Sequence, residues 1–442
     1  MKLSSARTRR VAASVLLKLS GAALSFLWQL LVVRSLGPVV GGVAMVAQSQ
    51  IRVIGTIGAL GRDRALTISL PLSRSPHERR EAINAAQTAS IIASVVILAS
   101  LIPILFLVQK TGLHLSYLGI IATGSVSFAV LVVLSGAARG MGQPLAADIG
   151  FTVLPFAVSG IAFIIAATWL GWGATAAIVA SIVGQLTALI YLKRVVAKSR
   201  LPSSASDRVE QCESRPRRNQ FGLTQLSVAV SATFSAMYPD GLLIIIGFVS
   251  SSASAAAFGI AIRYIRIARF IPVSFLHVRE AALSSLWTQG RLCELQREVR
   301  DIAALSFLSS MPALAGLFLF SHFLLEVFGK GMSEYGPILQ IVVIGELVNA
   351  LALMPTSVLL MSGNARPLAV IYLSSYGSGL VVSIWAAQMY GGSGASWTFV
   401  ATNVVLSIAT STVCVRLTGI RADITSYSLK WLAHRLNGAK RI

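Results

Sequence analysis

The chain has 442 residues, 55% of them hydrophobic and 12% charged, and its mean hydropathy is +0.76. A soluble domain carries about 25% charged residues, so this is the composition of a polytopic membrane protein. The net charge of +21 does not argue for a nucleic-acid partner: no Cys/His metal spacing, basic region or aromatic RNA platform accompanies it, and basic residues in short membrane-protein loops set topology.

Met1 to Arg10 is basic and precedes an apolar run of about 22 residues, longer than the roughly 7–15 of a signal peptide's apolar core, which reads as a retained first helix. A helix needs about 20 apolar residues to cross the hydrocarbon. Twelve segments qualify: 12–33, 39–60, 82–109, 116–138, 145–170, 174–195, 222–248, 252–276, 301–328, 336–362, 367–390 and 394–417. Of the 37 lysines and arginines, 29 fall in the N-tail, the loops 61–81, 139–144, 193–221, 277–300 and 363–367, and the C-tail from Arg416. The alternate loops hold only Arg34, Lys110 and Lys330. This alternation predicts twelve spans with both termini cytoplasmic.

Lys193 to Asn219 is the one long polar segment and predicts a flexible connector between two halves. The expected organisation is a six-helix bundle over 1–195, a basic cytoplasmic linker over 196–221, a second bundle over 222–418, and a tail over 419–442. In the tail, 423–436 patterns as an interfacial helix, and so does Val278 to Trp287, with Val278, Ala282, Leu286 and Trp287 at helical spacing. The halves repeat weakly. Gly142-Gln-Pro144 after span 4 answers Gly363-Asn-Ala-Arg-Pro367 after span 10, and Gly171-Trp-Gly173 before span 6 answers Gly392-Ser-Gly394 before span 12. Six helices per half make such repeats parallel, related by a pseudo-two-fold axis along the membrane normal. The fold class is an all-α polytopic membrane protein of about twelve transmembrane helices in two six-helix bundles.

Charge inside a span is costly: an arginine at the bilayer centre costs at least about 2.5–3.5 kcal/mol. Five basic residues nevertheless fall within spans, namely Lys18, Arg52, Arg263, Arg266 and Arg269. On span 1, Ser14, Lys18, Ser25 and Gln29 form a polar stripe; on span 2, Gln48 and Arg52 share a face; on span 7, Thr224, Ser227, Ser231, Ser235 and Tyr238 follow at three- and four-residue spacing. Spans 1, 2, 7 and 8 are equivalents in the repeat, so converging stripes would line a cationic cavity between the halves. Lys18 near its helix end has snorkelling as an alternative, Arg269 an interfacial position, and the serine stripe a role in helix–helix packing. Asp240, Glu346 and Asn349, one turn after Glu346, are either ion-coupling groups or partners of the arginines. Asp148 reads as interfacial. Prolines within spans (Pro103, Pro155, Pro239, Pro272, Pro312, Pro355) mark kinks.

Chemistry on a substrate has little support. The five histidines lie in loops or at span ends, and the sequence holds no His/carboxylate cluster, nucleophile elbow or P-loop. Cys212, Cys293 and Cys414 are scattered and imply no disulfide framework. No catalytic residue, metal or cofactor is expected.

The stretch Arg34-Ser-Leu-Gly-Pro38 with Gly42 beyond, the segment Ile57-Gly-Ala-Leu-Gly-Arg-Asp-Arg-Ala-Leu66 ending span 2, and the glycine followed closely by proline after spans 4 and 10 (Gly142/Pro144 and Gly363/Pro367) together resemble bacterial polysaccharide flippases. These are O-antigen or exopolysaccharide translocases of the MATE-like multidrug/oligosaccharidyl-lipid/polysaccharide exporter superfamily. The resemblance implies two bundles forming a V in the inner membrane, alternating between inward-open and outward-open. It implies a cargo of undecaprenyl-pyrophosphate-linked oligosaccharide, and polysaccharide polymerase and chain-length proteins as partners. Its cationic cavity maps to Lys18, Arg52, Arg263 and Arg266, with Arg269, Gln48 and Gln29 beside them. A diphosphate suits arginine, which offers paired donors. A drug exporter of the same superfamily is the alternative, and a membrane glycosyltransferase or ligase a more distant one.

Overall fold

The computed structural model describes residues 5–73, 75–108, 115–198 and 218–422. Most of the polar linker and the tail helix expected over 423–436 lie outside these residues, as does Cys212.

Helices account for nearly all of it. The run Ser5–Ala59 divides at Gly37, whose φ of 79° and ψ of 166° are not helical, into α1 (5–36) and α2 (38–59). Pro38 suits the break because a proline at a helix's first position sacrifices only an N–H that has no intrahelical partner. Next come α3 (Pro76–Val108), α4 (Leu115–Gly140), α5 (144–170) and α6 (Ala174–Lys198). The second half holds α7 (Arg218–Val249), α8 (Ser252–Ala268), α9 (Leu292–Leu319) and α10 (Gly336–Met361). A last run, Ala365–Thr418, breaks at Gly391 into α11 (365–390) and α12 (392–418).

Nine helical stretches among the described residues are long and apolar enough to cross a bilayer. Two of them, Leu16–Ala59 and Ala365–Thr418, are the runs that divide at Gly37 and Gly391. The 17-residue α8 completes twelve spans in two bundles of six. The outward faces are apolar, as lipid contact requires: Ile161, Ile164, Val381 and Val382 are all more than half exposed. Exposed Trp169, Trp172, Trp385, Tyr390 and Trp397 gather where α5 meets α6 and where α11 meets α12, the distribution of an interfacial aromatic belt. The repeat is visible in the backbone. Gly142 and Gly363 end their helices at φ of 77° and 79°, a left-handed conformation that glycine adopts without steric cost.

One expectation changes and two gain detail. Span 8, expected over 252–276, stops at Ala268; Pro272 lacks the N–H that would bond the Ala268 carbonyl, and a separate helix, Phe270–Thr288, takes over. The helix patterned over Val278 to Trp287 is present as part of that longer helix. Of the expected face, Leu286 and Trp287 pack on the core of the second half beside buried Leu276 and Leu283, Ala282 is exposed, and Val278 lies among side chains not described. Asp148, near the start of α5, is buried, 3.4 Å from Arg139 at the end of α4. Within α5 a π-helical turn, Ile149–Val153, precedes Pro155, which cannot bond the Phe151 carbonyl; one extra residue in the turn accommodates that loss.

Candidate functional site: a cationic cavity between the two halves

Each half contributes its first two helices to the seam between bundles, and glycine decides where the seam closes. At one end a Cβ on Gly42 of α2 would stand 1.9 Å from the carbonyl oxygen of Ser252 at the start of α8. Nearby, Gly247 of α7 faces Val46 and Gly259 of α8 faces Met45, each with a side-chain atom 2.3 Å from where a Cβ would be. Backbones this close leave no room for water. The other end carries the basic loops, and there the same helices part around a cavity of about 610 Å³.

The cavity is lined from α1, α2, α4, α5, α7 and α8. Its charged residues are Lys18, Arg52, Arg64, Arg263, Arg266 and Arg269, against Asp63 and Asp240, a formal excess of four positive charges. Spans 1, 2, 7 and 8 all reach the cavity, though not through every residue of their polar stripes. Lys18 and Arg266 are exposed to the cavity, and among the described residues no ion pair holds either. Arg263 is buried at 8% exposure, lines the wall, and is held from behind by Gln29 of α1. With its amide oxygen toward the guanidinium, Gln29 accepts from Arg263 Nη2 at 3.0 Å and Nε at 2.9 Å.

Arg52 crosses the seam to Asp240 of α7. Its Nη2 donates to Oδ1 at 2.6 Å and its Nε to Oδ2 at 3.1 Å, and Ser49 Oγ donates to Oδ1 at 3.1 Å. Such a paired, two-point contact is the strong form of the ion pair. Arg269 lies at the end of α8 rather than in a free interfacial position: its Nε is 3.0 Å from Glu346 Oε1, and Asn349 Nδ2 donates to Glu346 Oε2 at 3.2 Å. Glu346 is 3% exposed and borders a second, smaller cavity of about 100 Å³ within the second half, shared with Arg269, Asn349, Tyr372 and Tyr376. Both candidate carboxylates are thus partners of arginines.

Two site assignments need correction, Gln29 and Gln48: neither lines the cavity, Gln29 standing behind Arg263. Gln48 is buried at 6% exposure and is absent from the cavity wall, although it shares a face with Arg52; the seam has already closed at its level, where Met45 and Val46 pack on α8 and α7. The serine stripe of α7 divides. Ser235 lines the cavity, Ser231 donates to its own helix at the Val228 carbonyl, and Tyr238 is buried with its hydroxyl donating to Thr402 of α12 at 2.8 Å. The cavity face of α7 is instead Ala229, Ala232, Thr233, Ala236 and Asp240. Thr224 lies among side chains not described. Sequence reasoning also missed Asp63 and Arg64, which count as loop residues by hydropathy and reach the cavity only because the short helix Arg62–Ser69 folds back against α4.

No protein-family model matches the sequence, and no curated protein sequence matches it. The fold does match. A MATE family multidrug-resistance transporter of the MOP superfamily, in its inward-facing conformation, superposes with a TM-score of 0.63 at 14% identity over 89% of this chain and 93% of that one. A MATE transporter of Vibrio cholerae gives 0.62 at 16% identity, over 93% and 97%. A MOP superfamily transporter from Pyrococcus furiosus, described as having a binding pocket of reversed polarity that suggests a different function, gives 0.56 at 14% identity, over 91% and 94%. The chain therefore has the MATE-like fold of twelve membrane-spanning helices.

Proposed function

We propose that the protein is a flippase that carries a lipid-linked anionic oligosaccharide from the cytoplasmic to the outer leaflet of the bacterial inner membrane by alternating access, for surface polysaccharide assembly. The observation that carries this reading is the charge of the central cavity, six basic residues against two acidic. A cavity that holds several arginines favours a diphosphate, because guanidinium groups offer it paired donors in a medium of lowered dielectric. The lipid tail stays in the bilayer while the headgroup occupies the cavity, so no bond is made or broken.

In this reading the basic end is cytoplasmic and the described state is open inward. Arg263, Arg266 and Lys18 receive the diphosphate, and Arg52 fixes the cavity's depth through Asp240. The bundles then rock, the glycine contacts at the far end part, and the cavity opens outward. Glu346 is the better candidate than Asp240 for coupling to an ion gradient: it sits with Asn349 in the smaller cavity, and its partner Arg269 reaches both cavities. An exporter of cationic drugs, the alternative, is disfavoured by the cavity's sign.

Complementation tests the proposal. The double variant Arg263→Ala/Arg266→Ala is expected to abolish surface polysaccharide in a strain lacking its own flippase while still reaching the membrane. Full polysaccharide from that variant defeats the proposal, and a drug-resistance phenotype from the wild type in its place favours the alternative.

A further inference from the structure

The two interhelical clamps that face the cavity are one motif used twice. Arg263 follows Arg52 by 211 residues, and Asp240 follows Gln29 by 211. In each clamp an arginine on the second helix of one half is held by a side chain on the first helix of the other half, as a parallel repeat about a pseudo-two-fold axis demands. The acceptors differ. Arg52 is held by a carboxylate at 2.6 and 3.1 Å, whereas Arg263 is held by a neutral amide at 3.0 and 2.9 Å. One clamp is neutralised and the other keeps its full positive charge. The asymmetry extends along the seams: Gly61 of the Arg52 seam packs on Ala229, with a Cβ expected 1.9 Å from the Ala229 Cβ. The position equivalent to Ala229 in the other seam, again 211 residues away, is Lys18, exposed to the cavity.

We propose that Gln29 sets the charge selectivity of the cavity: as a positioning residue it orients Arg263 without discharging it, and the seat for the cargo's diphosphate is therefore on the Arg263 side. Gln29 is absent from the cavity wall and acts only through the guanidinium it holds. The same arrangement explains why the cavity tolerates a clamp carboxylate at all. Asp240 locks the neutral seam, and a second carboxylate at position 29 would complete the pairing and remove the anion seat. This inference rests on the reading of the cavity as an anion site.

The test uses purified full-length protein and calorimetric titration with inorganic pyrophosphate, repeated with vesicles carrying a polyprenyl diphosphate to separate the free anion from the lipid headgroup. Close charge pairs couple strongly enough that Gln29→Glu should weaken pyrophosphate binding by about tenfold or more. Gln29→Met, which removes the amide that orients Arg263 but adds no charge, should weaken binding less than Gln29→Glu does, and a loss equal to that of Gln29→Glu marks a purely structural role and overturns the inference. Asp240→Asn should bind more tightly than wild type. The double variant Gln29→Glu/Asp240→Asn, of unchanged net charge, should recover binding relative to Gln29→Glu. Wild-type affinity in Gln29→Glu, or a double variant as weak as Gln29→Glu, overturns the inference. Absence of pyrophosphate and lipid diphosphate binding by the wild type overturns the anion-site reading beneath it, which keeps the two failures distinguishable.

Discussion

A single methyl group at Gly42 should shift the balance between the two access states. A Cβ there would lie 1.9 Å from the Ser252 carbonyl oxygen and 2.5 Å from its carbon, against an ordinary carbon contact of about 3.5 Å. The obstacle is backbone, so no rotamer relieves it; α2 and the start of α8 must separate. Overpacking of this kind costs about 1–3 kcal/mol. In the proposed cycle the contact exists only while the far end of the seam is closed, so the cost falls on the inward-open state alone and moves the equilibrium about 5–150-fold toward the outward-open one. The assay is labelling of Ser254→Cys by a membrane-impermeant thiol reagent, in a chain whose Cys212, Cys293 and Cys414 are replaced by serine. Ser254 is 7% exposed at that closure, so labelling from the outside should accelerate in Gly42→Ala. The control is Gly160→Ala on α5, where a Cβ meets nothing within 4 Å and labelling should not change. Equal labelling rates in Gly42→Ala and its parent, with both folded and membrane-inserted, refute the view that these glycine contacts are the outer gate.

Arg52→Ala strands the Asp240 carboxylate, 10% exposed in its side chain, with Ser49 alone; breaking a buried pair from one side costs about 3–5 kcal/mol. Asp240→Asn keeps a hydrogen-bonding partner for Arg52, so thermal unfolding in detergent should rank Arg52→Ala as the less stable, and the reverse order contradicts the clamp geometry. Tyr238→Phe removes a buried hydroxyl bond to Thr402 and should lower stability by about 0.5–1.5 kcal/mol with transport retained. Glu346→Gln keeps a side-chain oxygen to accept from Asn349 but loses the charge opposite Arg269; transport in vesicles should lose its dependence on an imposed ion gradient while diphosphate binding persists. Gradient-dependent transport by this variant removes Glu346 from the coupling role.

How much of this could be read from the chain follows from how a membrane constrains it. Apolar runs of fixed minimum length and the alternation of basic loops are local, one-dimensional signals, because each helix must satisfy its own backbone hydrogen bonds in lipid. Composition thus determined the class, the twelve spans and the places of the repeat glycines, and the energetic anomaly of in-span charge singled out Lys18, Arg52, Arg263, Arg266 and Arg269 as residues that needed a partner or a cavity. Which of these it would be is a property of pairs far apart in sequence. Asp240 meets Arg52 across 188 residues. Gln29 meets Arg263, and Gln48 falls out of the wall although its helical face is correct. Helical periodicity gives the direction in which a side chain points, while the depth at which two helices separate is set by where their glycines permit contact. Only the tertiary structure, by closing the seam at Gly42, Gly247 and Gly259 and opening it around Arg263 and Arg266, decided which polar stripe becomes a cavity and which becomes packing.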